Sequence, residues 1–169
     1  YGFTDAACGD AEGNFYFSDL GKALLYRVGV DETKPVVWLE GGPKVSGMKF
    51  GADGKIYAAT QGQGTNNTKK IVVIDPATKQ IETVATEVNP NDLIVSKAGW
   101  IYFTDTGAGQ VIGVPTNARN MARPHSIAGG INKPTGIGLT PDQRQLIVRE
   151  YGGTNAWTFL IADDSSLRG

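Results

Sequence analysis

The stretch Asn89-Pro90-Asn91-Asp92-Leu93-Ile94-Val95, followed by Gly99-Trp100-Ile101-Tyr102-Phe103-Thr104-Asp105, decides the fold class of this chain. It contains a polar start, a short apolar run, a glycine turn and a second apolar run. The same phrase occurs three more times, as Asp5–Asp10 with Phe15–Asp19, Ser46–Phe50 with Lys55–Thr60, and Thr135–Thr140 with Gln145–Glu150. The turn glycines Gly13, Gly54 and Gly99 give a period of 41 to 45 residues. Periods of about 40–50 residues with several strands per unit are typical of propeller blades.

The repeat predicts an all-β fold, a β-propeller of four-stranded antiparallel blades in a single domain over residues 1–169. About four blade units are present, at about 1–42, 43–87, 88–130 and 131–169. We expect the fourth unit to lack its outer strand. Blade faces rich in Val, Ile and Phe would then be uncovered, which favours a portion of a larger propeller. The alternative is a closed four-bladed ring whose missing strand comes from the segment before Asp5 or from a partner.

Composition excludes several classes of partner. A formal net charge of −1 provides no basic field for nucleic acid. No apolar run approaches the roughly 20 residues that span a membrane, and no signal peptide is visible. The single cysteine, Cys8, excludes an intrachain disulfide, and Asn66-Asn67-Thr68 fits a glycosylation sequon. We expect a soluble protein, and a cytoplasmic or a periplasmic or secreted location stays open.

The decisive stretch also resembles the gluconolactonase and regucalcin (senescence marker protein) family. The segments Asp10–Asp19 and Lys133–Asp142 resemble the same family, and the resemblance spans nearly the whole chain. It implies a propeller of six blades, of which this chain supplies about four. It also implies hydrolysis of small-molecule sugar lactones or related esters, with one divalent metal, expected to be calcium, at the mouth of the channel.

The resemblance assigns three metal ligands. Asp5 stands where the family has Glu, Asn91 matches the Asn that lies beside metal and substrate, and Thr135 stands where the family has Asn. The last ligand in the family is an Asp that also acts as general base. It would lie beyond Gly169, so no catalytic residue is assigned.

The propeller geometry gives a second argument for the same site. Innermost strands run along the central channel, so their first residues should surround one of its ends. These residues are Asp5, Ser46, Asn91 and Thr135, which all carry side-chain oxygen. Oxygen ligands favour calcium or magnesium, although such residues also make ordinary hydrogen bonds at strand starts.

The predicted substrate-binding residues are Asn91, Asp92, Arg149 and Glu150. The second strand of each blade returns to the same end of the channel, which brings Arg149 and Glu150 there. Arg149 would grip a carboxylate or phosphate of the substrate, or form a structural ion pair with Glu150.

Three functions stay open from the sequence. The first is a metal-dependent lactone or ester hydrolase. The second is a non-catalytic propeller that binds a small ligand or a partner protein. The third is an inactive fragment of the enzyme, completed by further chains.

Overall fold

Short runs of β-branched and aromatic residues form sixteen strands in four antiparallel sheets of four strands each. The computed structural model describes residues 1–62, 68–118, 124–162 and 167–168. Asn66 and Asn67 of the predicted sequon lie outside these ranges. Within them there is no helix, and hence none long and apolar enough to cross a membrane.

Each sheet is one blade, with its strands hydrogen-bonded in chain order. Blade 1 contains β1 (Thr4–Gly9), β2 (Phe15–Asp19), β3 (Leu24–Val28) and β4 (Val36–Leu39). Blade 2 contains β5 (Lys44–Phe50), β6 (Ile56–Gln61), β7 (Lys70–Ile74) and β8 (Ile81–Ala85). Blade 3 contains β9 (Leu93–Val95), β10 (Trp100–Asp105), β11 (Gln110–Pro115) and β12 (His125–Gly129). Blade 4 contains β13 (Pro134–Leu139), β14 (Gln145–Glu150), β15 (Ala156–Ile161) and β16 (Leu167–Arg168).

The innermost strands follow one another around a common centre, with β1 against β5, β5 against β9, and β9 against β13. The second strand of each blade supplies the packing between blades. Tyr16, Tyr57 and Tyr102 are at most 5% exposed, and each packs in a cluster with residues of the following blade. The repeat therefore produces three similar hydrophobic interfaces. This confirms the predicted propeller of four antiparallel blades.

The prediction that the fourth unit lacks its outer strand is wrong. β16 pairs with β15, with Leu160 opposite Arg168 and Ile161 opposite Leu167. A strand of two residues is too short to show the period-two alternation by which strands are recognised in a sequence. Blade 4 therefore has four strands like the others.

The predicted first strand of blade 3 is also longer than the observed one. A strand from Asn91 was expected, but β9 begins at Leu93. Asn91 and Asp92 are both paired with Thr104, because Asn91 N–H donates to Thr104 O (2.8 Å) and Thr104 N–H donates to Asp92 O (3.0 Å). Two residues opposite one is the pattern of a β-bulge, which ends the regular ladder.

Candidate functional site at the start of the innermost strands

Side chains from all four blades meet around one cavity of about 410 Å³. Its lining includes Asp5, Ser46, Asn91 and Thr135, which hold the same position of the repeat. The structure therefore brings together the residues predicted to begin the innermost strands. Asp92, from the predicted substrate-binding set, lines the same cavity.

A repeated irregularity of the innermost strands shapes this cavity. The ladder register shifts between Asp5 and Ala7, between Val45 and Gly47, and between Pro134 and Ile137. The bulge at Asn91 and Asp92 is the blade 3 version of this feature. Bulges disrupt the alternation of side chains along a strand. Consequently consecutive residues at the bulges of blades 1, 3 and 4 line the cavity, namely Asp5 with Ala6 and Ala7, Asn91 with Asp92, and Thr135 with Gly136.

Asp92 is held firmly at the wall of the cavity. Its Oδ1 accepts the N–H of Leu93 at 2.8 Å, and its Oδ2 accepts the N–H of Ile137, in blade 4, at 3.3 Å. Burial raises the pKa of Asp92 above its ordinary value, against the opposing effect of these two N–H groups and the positive charge of Lys49. A Cβ on Gly47 would lie 2.6 Å from Asp92 Oδ1, so the carboxylate occupies space that a side chain at position 47 would fill.

Lys49 is a cavity residue that the sequence reasoning missed. It contributes the cationic side chain among the lining residues, beside the carboxylates of Asp5 and Asp92. Its Nζ donates to Ala7 O at 3.4 Å, across the interface with blade 1. The signal was present in the repeat, because the residues at the same position in the other blades are uncharged, namely Cys8, Ile94 and Gly138.

The oxygen donors of the cavity suit a hard cation. Asp5 is exposed, and its Oδ1 accepts the adjacent N–H of Ala6 at 3.0 Å. Thr135 Oγ1 donates weakly to Arg149 O at 3.4 Å. Carboxylate, amide and hydroxyl oxygens are the ligands that calcium and magnesium prefer. Within the described residues, however, no three His, Cys, Asp or Glu side chains come together as a metal-binding group, so such a cation would depend on neutral oxygens as well.

Arg149 and Glu150 do not line this cavity. The side chain of Arg149 is exposed. Glu150 is 4% exposed, and its Oε1 accepts the N–H of Asn132 at 3.1 Å and Trp157 Nε1–H at 2.8 Å. These bonds give Glu150 a structural role, while substrate binding by either residue stays a prediction.

The last residue of the second strand has this structural role in other blades too. Asp19 accepts the N–H groups of Gly2 at 2.6 Å and Phe3 at 3.2 Å. Asp105 Oδ1 accepts Asn89 Nδ2–H at 3.0 Å. Each carboxylate therefore stabilises, by hydrogen bonds, the segment that precedes the innermost strand of its own blade.

Cys8 and His125 lie outside the cavity lining. Cys8 is 7% exposed in the interface of blades 1 and 2, and burial raises the pKa of its thiol to about 12. A thiol with so high a pKa is a poor nucleophile. His125 is exposed on β12, where its ring contacts Trp100 with centroids 5.9 Å apart.

Comparison with known proteins gives consistent matches. The profile of the SMP-30/Gluconolactonase/LRE-like region matches residues 5–168. A gluconolactonase of Zymomonas mobilis subsp. mobilis is 32% identical over 138 residues, which are 70% of this chain and 37% of that protein. This chain thus spans well under half of that relative.

Similar folds occur among solved structures. A gluconolactonase from Xanthomonas campestris superposes with a TM-score of 0.78 at 19% identity, covering 99% of this chain and 61% of that one. An auxiliary nutrient binding protein from Bacteroides thetaiotaomicron gives a TM-score of 0.79 at 11% identity, covering 99% and 40%. At these identities the likeness shows the fold alone. The profile match covers nearly the entire chain, and the chain therefore belongs to the SMP-30/Gluconolactonase/LRE-like family.

Proposed function

We propose that this chain forms part of a metal-dependent hydrolase of sugar lactones or related esters. The observation that carries the proposal is the meeting of Asp5, Asn91, Asp92 and Thr135 around one cavity. Membership of the SMP-30/Gluconolactonase/LRE-like family and the similarity to the Zymomonas mobilis gluconolactonase support the reaction class.

The proposed roles follow from the chemistry of each side chain. Asp5, Asn91 and Thr135 would hold a divalent cation, with calcium as the expected ion because all their donors are oxygen. When bound, the cation would act as a Lewis acid toward the carbonyl group of the lactone. Asn91 and Asp92 would orient the substrate hydroxyls, since an amide and a carboxylate provide both donors and acceptors. Lys49 would offset part of the negative charge of Asp5 and Asp92.

Lactone hydrolysis in the presence and absence of calcium tests the metal dependence. Acid release from gluconolactone is followed in a pH-stat, with the uncatalysed hydrolysis subtracted. We expect activity that is abolished by a chelator and restored by added calcium. Activity that is unchanged by the chelator would contradict the metal mechanism.

Asn91→Ala tests the ligand set. We expect calcium affinity, measured by titration calorimetry, to fall at least about tenfold, because even groups that only support a ligand are worth about 10–100-fold. Asn91→Asp, which keeps an oxygen donor, should retain more of the affinity. Asn155→Ala, an exposed Asn outside the cavity lining, serves as the control. Wild-type affinity in Asn91→Ala would remove Asn91 from the site.

A second function, binding of a small ligand or partner protein without turnover, is favoured by two observations. The oxygens of Asp5 and Thr135 already take part in local hydrogen bonds with backbone groups, and these two residues depart from the ligands that the family resemblance implies. This function predicts saturable binding of a sugar acid or lactone with no acid release. Rapid turnover of a lactone panel would exclude it.

A further inference from the structure

At two of the three interfaces, successive blades are linked by a hydroxyl group near the end of the second strand. Ser18 Oγ donates to Val45 O at 2.8 Å, and Thr104 Oγ1 donates to Thr135 O at 2.7 Å. Ser18 and Thr104 hold the same position of the repeat, five residues after the turn glycine. In each case the end of the second strand fixes the start of the innermost strand in the next blade.

The interface between blades 2 and 3 is built differently. Ala59 holds the equivalent position and has no hydroxyl group. Instead, Ser46 Oγ donates to Asn91 O at 2.6 Å. Ala59 O is a second acceptor for the same hydroxyl, but at 3.4 Å it is much farther away. The bond from blade 2 therefore reaches the backbone of Asn91 itself.

Gln61 stabilises the contact between Ser46 and Asn91. Its Nε2 donates to Ser46 Oγ at 2.7 Å and to Pro90 O at 2.9 Å. Ser46 is 8% exposed, and Gln61 does not line the cavity. The two side chains thus hold the carbonyl groups of Pro90 and Asn91, which lie on either side of the Asn91 Cα.

The backbone of Asn91 is consequently fixed from two blades. Its carbonyl is held by Ser46 of blade 2, and its N–H donates to Thr104 O of blade 3 at 2.8 Å. The direction of a side chain at a bulge depends on the local backbone angles. A ligand needs such support, because a small displacement of a donor atom is costly in a preorganised site.

We propose that Ser46 and Gln61 are positioning residues that hold Asn91 in its binding orientation. This inference rests on the proposed function, since it assigns the support of a residue of that same site. Ser46 therefore differs in role from Asp5, Asn91 and Thr135, because its hydroxyl group holds the backbone of Asn91 and does not bind the ligand.

Matched variants test the proposal. Ser46→Ala and the control Ser18→Ala each remove one interblade hydroxyl bond, but only the first bond reaches Asn91. Gln61→Met removes the donor of a residue outside the cavity. The measurements are the melting temperature, calcium affinity by titration calorimetry, and the side-chain amide resonances of Asn91 in ¹⁵N–¹H spectra.

We expect Ser46→Ala and Ser18→Ala to lower the melting temperature similarly. Ser46→Ala should weaken calcium binding about tenfold or more and shift the Asn91 resonances, whereas Ser18→Ala should do neither. Gln61→Met should cause a smaller change in the same direction. Ser46→Thr, which retains a hydroxyl group, should keep most of the wild-type calcium affinity.

Unchanged Asn91 resonances and calcium affinity in Ser46→Ala would overturn the proposal. So would an equal loss of affinity in Ser18→Ala, because the effect would then be general destabilisation. If the wild-type protein binds no calcium, the metal role fails separately. The Asn91 resonances then decide, since a shift confined to Ser46→Ala and Gln61→Met supports positioning and no shift refutes it.

Discussion

Asp92 and Gly47 depend on each other at the wall of the cavity. A Cβ at position 47 would lie 2.6 Å from Asp92 Oδ1 and 2.7 Å from Asp92 Cα. Gly47 holds the same position of the repeat as Asp92, and blades 1 and 4 have Ala6 and Gly136 there. One blade therefore contributes a carboxylate at this position, and the small residues of the other blades leave room for it.

The charge of Asp19 should make the stability of the protein sensitive to acid. The N–H of Gly2 is the main cause that holds the pKa of Asp19 below its ordinary value, and the N–H groups of Lys22 and Phe3 add to it. A lowered pKa in the folded state means that the stabilisation is present above the ordinary Asp pKa of about 4. It is lost as the pH falls through the folded value.

We therefore expect Asp19→Asn to be less stable than wild type at neutral pH. Its stability should also fall less as the pH drops from about 5 to about 2. Urea unfolding midpoints across this range measure both effects. Asp31→Asn, at an exposed carboxylate, is the control. An acid dependence in Asp19→Asn equal to that of wild type would contradict the assignment.

Individual residues differ in how well the sequence predicts them. The repeat placed Asp5, Asn91 and Thr135 at one end of the channel, because it assigns equivalent positions without any knowledge of contacts. Lys49 was missed although it is the charged residue at its position of the repeat, because only the structure shows that it lies beside the carboxylates of other blades. The bonds of Gln61 to Ser46 and Pro90 could not be predicted either. They occur in the blade that has Ala59 at the position of Ser18 and Thr104, so the repeat gives no equivalent contact from which to infer them.

At the scale of elements, the inner hairpins depend on the backbone conformation of their turns. Gly13, Gly54 and Gly99 have φ angles of 88°, 75° and 79°, in the left-handed region that favours glycine. The fourth turn has Gln143 at this position, with φ of 57°. Its Oε1 accepts the N–H of Lys97 in blade 3 at 2.7 Å, and this bond between blades offsets part of the backbone strain.

Gly54→Ala tests the turn conformation without a steric clash. Apart from its two chain neighbours, no residue has an atom within 4 Å of the position of a Cβ at Gly54, so the expected loss of about 1 kcal/mol in the free energy of unfolding comes from the backbone. Urea denaturation provides the measurement. Gly129→Ala is the matched control, since its Cβ would also meet nothing within 4 Å and its φ lies outside the left-handed region. Equal stability of the two variants would contradict this account of the turn.

Elements with strong local signals were predicted well. The inner hairpins follow directly from apolar runs on both sides of a glycine turn. The shortening of β9 was not visible, because a bulge changes the pairing of Asn91 and Asp92 without changing the local sequence pattern. β16 was missed for a different reason, since Leu167 and Arg168 are recognised as a strand only by their partner β15.

At the scale of the whole molecule, blade 1 and blade 4 each have one face that no other blade covers in the part of the chain that the structure describes. The repeat shows which residues of these two faces correspond to buried residues in the other blades. Ile56 with Ala58, and Ile101 with Phe103, are fully buried against the preceding blade. The equivalent pair in blade 1 is Phe15 and Phe17, and Phe15 is 47% exposed. Ile147 of blade 4 holds the position of the buried tyrosines of the other blades, yet it is 41% exposed. Both faces therefore have the side chains of a blade interface.

The face of blade 1 has a cluster of aromatic side chains. Phe17 stacks on Tyr26 with centroids 5.1 Å apart, and Tyr1 contacts both rings, at 5.6 and 5.2 Å. Exposed aromatic patches of this kind mark surfaces that associate with another surface. For the 169-residue chain we therefore expect a particle heavier than the 17.9 kDa of a monomer, measured by light scattering after size exclusion.

A charge on the aromatic face should reduce this association. We expect Phe15→Lys to shift the particle toward 17.9 kDa, because a buried lysine without a partner is strongly unfavourable. Ile81→Lys is the matched control, since Ile81 is similarly exposed, at 41%, but begins the outer strand β8 of blade 2. A monomeric wild-type chain, or an equal effect of both substitutions, would show that this face does not drive association. A decrease in particle mass confined to Phe15→Lys would instead show that another protein surface packs on the outer face of blade 1. Each blade packs on the next in the same way within the chain.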